Sequence, residues 1–85
     1  MPWSPISKKF LLPVLMRIKD KERISINELK EIFVQETLIM SVNTFKQFVD
    51  GLIILKIAER TENPNVLKID RNNIEATIER LTKGG

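Results

Sequence analysis

Ser25, followed three residues later by Glu28, constrains this chain more than any other local signal. At that spacing a serine hydroxyl accepts from the backbone N–H of the third helical residue while the glutamate reaches back to the cap, so a helix is expected to begin at Ile26. Leu29, Ile32 and Phe33 then fall at the steps of one helical face, which predicts a helix over roughly 26–35. Arg23 to Ser25, extended just before the cap, predicts a very short strand. Similar punctuation recurs twice. Ser41 precedes a stretch with Val42, Phe45, Phe48, Val49, Leu52 and Leu55 at helical spacing, and Asn43, Lys46, Gln47 and Asp50 on the other face. Asp70 precedes a stretch carrying Ile74, Ile78 and Leu81, and Ile69 before that cap with Ile74 after it forms a hydrophobic staple.

The remaining elements follow from prolines and turn residues. Pro13 removes a backbone donor and clashes with the preceding turn inside a helix, at a cost of about 3 kcal/mol. Ser7 can cap a helix with Phe10, Leu11, Val14, Leu15 and Ile18 on one face, kinked at Pro13. A helix over about 13–20, with Pro13 in its first turn and 7–12 as a short preceding turn, avoids that cost and is the preferred reading. Val14, Leu15 and Ile18 supply its apolar face. Glu36 to Met40 reads as a turn. Gly51 costs about 1 kcal/mol inside a helix relative to Ala and suggests close approach of another backbone. Ile57–Thr61 and Val66–Ile69 flank Glu62-Asn63-Pro64-Asn65, a turn sequence, and so predict an antiparallel hairpin. Residues 1–6 are expected to be an irregular arm, and 83–85 a frayed tail. All of this amounts to one domain over 1–85, mainly α with a small antiparallel β-hairpin, in the order α-(β)-α-α-β-β-α. Each element is too short to be stable alone, so all must share one core.

The composition narrows the chemistry. The 85 residues include no Cys and no His, which excludes a zinc finger, a thiol nucleophile, a disulfide framework and a Ser-His-Asp triad. No other catalytic constellation is present, so the chain is not expected to be an enzyme, and no cofactor or metal is called for. Glu28 with Glu31 suggests a carboxylate pair, but Glu28 is accounted for by its cap and no third ligand is apparent. The apolar stretch from Phe10 to Met16 contains Pro13 and is too short to span a bilayer, so no membrane partner is expected and the cytoplasm is the expected compartment.

Over roughly residues 12–70 the sequence resembles the winged helix-turn-helix superfamily. Val14, Leu15 and Ile18 match the first helix, and ISINELKEIF (24–33) the first strand and second helix. SVNTFKQFVDGLIIL (41–55) resembles the third, or recognition, helix, and KIAERTENPNVLKID (56–70) the two-stranded wing. The chain departs from the pattern at two points. Lys56 stands where many members carry Gly, and the wing tip, Glu62-Asn63-Pro64-Asn65, is net negative where wings are often rich in Arg and Lys.

The resemblance implies binding to double-stranded DNA by a small transcription regulator or DNA-transaction factor acting as a homodimer, with the third helix in the major groove. Asn43, Lys46 and Gln47 are then the base readers, since Asn and Gln bond bidentately to adenine and Lys reaches guanine or phosphate. Ser41, Thr44, Arg60 and Lys68 are the residues that position the backbone. Such polar types also stand on any solvated helix face. The charge is unevenly spread: residues 1–24 carry a net +4, 25–55 a net −2 and 56–71 a net +1, within a total of +3. The helix meant to lie deepest in the groove is therefore not in a basic segment, although phosphate contacts supply most DNA affinity. The alternative is a protein-interaction winged helix, or a small subunit of a larger complex. Its partner would meet Leu38, Ile39 and Met40 in the turn, and Ile53 or Ile54, since one helix cannot bury both of those against the same surface; coverage by the last helix is the other possibility. The last helix is itself a dimer candidate through Ile74, Ile78 and Leu81, or else it closes the monomer core.

Overall fold

A computed structural model describes residues 8–83, leaving aside the side chain of Lys8. The irregular arm expected over 1–6, the start of the turn expected at Ser7, and Gly84-Gly85 lie outside the described residues. The chain order is α1 (Lys8–Ile18), β1 (Arg23–Ser25), α2 (Ile26–Thr37), α3 (Val42–Ile54), β2 (Ala58–Arg60), β3 (Val66–Ile69) and α4 (Arg71–Lys83). The architecture is mainly helical, with a small three-stranded antiparallel sheet in the order β1-β3-β2. Two expectations change at the ends. Lys83, expected in the tail, closes α4 and pairs with Glu79 at 2.7 Å. The sheet is larger than a hairpin, because β1 adds to the free edge of β3.

α1 also differs from expectation. It runs from Lys8 straight through Pro13, with no separate turn over 7–12. Pro13 leaves the Lys9 carbonyl without its usual helical donor, at a cost of about 3 kcal/mol. Against that, Leu11, Val14, Leu15 and Ile18 are all buried, on both sides of the proline. Burying such side chains contributes roughly 1.5–3 kcal/mol each, so continuous burial outweighs the local cost.

The helix starts follow their caps. The Glu28 N–H donates to Ser25 Oγ at 3.1 Å, the Thr44 N–H to Ser41 Oγ at 3.3 Å, and the Asn73 N–H to Asp70 Oδ1 at 3.0 Å. The Glu28 carboxylate does not complete a reciprocal box; it lies 3.1 Å from Lys21 Nζ. A further α2 donor is met from the hairpin tip, where the Ile26 N–H donates to the Asn65 carbonyl at 2.8 Å. The tip is held by its own side chains. The Asn65 N–H donates to Asn63 Oδ1 at 2.9 Å, and Thr61 Oγ1 lies 2.9 Å from the carbonyls of both Asn63 and Val66.

The helix ends depend on two left-handed residues. α2 stops where Leu38 adopts φ 59° and donates to the Val34 carbonyl at 2.8 Å. The buried Thr37 hydroxyl donates to the Phe33 carbonyl at 2.7 Å and accepts from the Ile39 N–H at 3.1 Å, which turns the chain toward α3. At the end of α3, Lys56 adopts φ 60°. Its N–H donates to Ile53 and the Ile57 N–H to Leu52, at 3.0 and 2.9 Å. That pair of bonds, with Ile57 and Leu52 both fully buried, is a Schellman closure built with lysine where glycine is usual. The Asn73 side chain clamps it from α4 by donating to the Lys56 carbonyl at 2.9 Å.

One core joins every element. Phe33 of α2 is fully buried between Phe45 and Phe48 of α3, with ring centroids 5.6 and 4.9 Å apart. The inner face of the sheet contributes Ile24, Ala58, Leu67 and Ile69, and α4 contributes Ile74 and Leu81. α4 packs against α1 of its own chain, with Ile78 half-buried beside the core. Ile74 and Leu81 of its apolar stripe are thus part of the monomer core.

Two changes test this account. Phe33→Ala should lower unfolding free energy in urea by about 3–5 kcal/mol, as expected for loss of a buried phenylalanine. Lys56→Gly should relieve the left-handed strain of a side-chain-bearing residue. It should raise stability by about 1 kcal/mol, and thermal unfolding should read this as an upward shift of about 4–8 °C for a domain of this size.

Candidate functional site

Burial of Phe45, Phe48, Val49 and Leu52 fixes the rotation of α3 about its axis, and so determines which side chains it offers to solvent. Asn43, Lys46, Gln47, Asp50 and Ile54 are exposed at three- and four-residue steps, so they form one stripe. The structure therefore brings Asn43, Lys46 and Gln47 together, one turn apart. Val42, expected on the core face, is instead 54% exposed and joins the outer surface at the start of the helix. Ser41 is exposed with its Oγ engaged as the cap, and Thr44 is half-buried behind it. Lys46 is the only cation of the stripe and Asp50 its only anion, so the face is polar without net charge.

The two expected hairpin cations are divided by register. In an antiparallel pair, residues directly opposite share a face. Lys68 is opposite Arg23 of β1 on one side and Glu59 of β2 on the other, and all three are exposed. Arg60 is opposite Leu67 and alternates to the other face, although it borders the same open depression as Arg23 and Lys68. Thr61, Glu62 and Val66 complete most of its lining.

Arg23 is the residue that a reading of single segments does not assign to the site. Its only signal is the alternation Arg23-Ile24-Ser25, with Ile24 buried and its neighbours outside. That alternation acquires meaning once β1 is paired with β3. Among the described residues, the ion pairs are Arg17–Glu36, Lys21–Glu28, Arg71–Asp20 and Lys83–Glu79. Arg23, Lys46, Arg60 and Lys68 belong to none of them.

The apolar residues of the α2–α3 connection have a different setting. Leu38 and Met40 are 82% and 79% exposed, while Ile39 between them packs on the core. At the far end of α3, Ile53 packs on the core and Ile54 is 67% exposed. α4 covers neither exposed group. No helix among the described residues is long and apolar enough to cross a membrane. Among the described residues no cluster of three or more acidic side chains is placed to hold a metal ion. Protein-family models, curated proteins and solved structures were each compared with the chain, and none of them matches it.

Proposed function

We propose that this chain is a winged helix-turn-helix protein that binds double-stranded DNA as a homodimer, in transcription regulation or another DNA transaction in the cytoplasm. The observation that carries the reading is the solvent stripe of α3, in which Asn43, Lys46 and Gln47 project from one face of a helix seated on Phe33. Residues of these types, one turn apart on a rigid helix, match the donor and acceptor pattern of the major groove. The element order supports the same reading, with a first strand, two helices, and a hairpin that rejoins that strand. Ser41 and Thr44 stand at the α3 N-terminus, where a helix end favours phosphate. Lys68 and Arg60 flank from the hairpin. The total charge of +3 gives each copy a small electrostatic footprint, and pairing two copies doubles it.

A second reading has its own observation. Leu38, Met40 and Val42 are large, apolar and exposed around the turn that leads into α3, and Ile54 is exposed at its other end. Exposed apolar groups clustered in this way suit a protein partner. On that reading the chain is a protein-interaction winged helix or a small subunit of a larger complex, and the α3 stripe is a solvated surface.

Substitution on α3 separates the two. Lys46→Glu with Gln47→Ala should abolish the shift of duplex DNA in a mobility assay while circular dichroism stays that of the parent. Normal DNA binding by the double variant would remove α3 from the interface. Leu38→Ser with Met40→Ser should leave duplex binding intact under the first reading, and should release a bound protein under the second.

A further inference from the structure

The solvent face of the sheet combines features that single segments do not. Arg23 and Lys68 are direct cross-strand neighbours in a register that also aligns Ile24 with Leu67 and Ser25 with Val66. Like charges placed directly opposite each other disfavour the pairing. Ile24 and Leu67 on the inner face hold the register regardless, because a one-residue slip would turn one of them out of the core. Two cations are thus held side by side, and Arg60 borders the same depression from β2. Among the described residues none of the three has a carboxylate partner in an ion pair. The carboxylates that border it are Glu59, directly opposite Lys68, Asp70, which lines a neighbouring depression with Glu59 and Lys68, and Glu62 at the tip, and none of them forms an ion pair with Arg23, Lys68 or Arg60. The α3 stripe is electrically balanced, and the hairpin tip is bound up in its own hydrogen bonds.

We propose that this sheet face, centred on Arg23 and Lys68 with Arg60 at the rim, is the main phosphate-holding surface of the protein, and that it grips the backbone of the nucleic acid whose bases α3 meets. The inference rests on the DNA reading for the identity of its ligand, and on the sheet register for its location. Arg23 supplies a planar fork suited to two phosphate oxygens, whereas Lys68 supplies a point charge beside it. A duplex held in this way is gripped by the flat of the sheet and by β1, with no contribution from the acidic tip. Each cation that neutralises a phosphate releases counterions, so it contributes about 0.9 to the slope of log affinity against log salt.

The test compares random-sequence duplex binding, as a function of salt, for the parent chain, Arg23→Gln/Lys68→Gln and Arg23→Lys/Lys68→Arg. The glutamine pair should flatten the slope by about 2 for each copy bound, about 4 for the homodimer, and weaken binding near 0.1 M salt on the order of 60-fold per copy, converging with the parent near 1 M. The charge-preserving pair should keep the parental slope. An unchanged slope in the glutamine pair would overturn the proposal. A second measurement does not depend on duplex binding: tripolyphosphate titrated into ¹⁵N-labelled parent protein should move the amide signals of residues 23–25 and 66–69 first. If those signals move and duplex does not bind, the sheet site stands and the DNA reading falls. If duplex binds with steep salt dependence while tripolyphosphate leaves those signals unmoved, the DNA reading stands and the sheet site falls.

Discussion

The contact of Phe33 with Phe45 and Phe48 is the constraint on which the rest of the structure depends. Its ring centroid lies 4.9 Å from that of Phe48 and 5.6 Å from that of Phe45, at interplanar angles of 32° and 58°, so α2 and α3 meet through tilted aromatic packing. Because α3 repeats about every 3.6 residues, placing Phe45 and Phe48 inward forces Asn43, Lys46, Gln47 and Asp50 outward. The exposed stripe is thus a consequence of the core. Thr37 and Leu38 complete the arrangement from the α2 side. The buried threonine hydroxyl bonds back to Phe33 itself, and the left-handed leucine swings the chain around so that α3 crosses over it.

The sheet is the second device, and it works by joining distant parts of the chain. β1 lies before α2, yet it pairs with β3, which follows α3 and the hairpin. The Ile26-to-Asn65 hydrogen bond fastens the same junction by meeting an α2 donor from the hairpin tip. This closure sets Arg23 next to Lys68. It also fixes the hairpin relative to α2, and the Schellman closure at Lys56 fixes it relative to α3. The Asn73 clamp on the Lys56 carbonyl then ties the start of α4 to that corner. The exposed α3 stripe and the Arg23–Lys68 pair are therefore carried on one core.

Much of this frame is legible from local chemistry. Ser25, Ser41 and Asp70 announce their helices because a cap needs only a short side chain at one position, and Asn63-Pro64-Asn65 announces the hairpin for a similar reason. The order of elements follows from those marks. What escapes is whatever depends on partners remote in sequence. Pro13 argues locally for a break, and only the burial of Leu11 on one side with Val14, Leu15 and Ile18 on the other carries α1 through it. Val42 has the right spacing for the core, yet the turn at Leu38 and Thr37 leaves it outside. The α4 stripe reads equally well as an interface or as a core face, and packing places Ile74 and Leu81 in the core. On the candidate site, the α3 residues follow from helical period alone. The separation of Arg60 from Lys68, and the pairing of Lys68 with Arg23, follow only from strand register, which no single segment contains.

The proposal that this chain binds duplex DNA is tested most directly by the salt dependence of random-duplex binding by the unmodified chain. Fluorescence anisotropy with a labelled duplex, followed from 50 to 200 mM salt, should show measurable affinity at the low end. That affinity should fall by orders of magnitude across the range, as expected for an interface made by several phosphate contacts. Absence of binding at both ends, or binding that is indifferent to salt, would contradict the account and turn attention to the apolar surface around Leu38 and Met40.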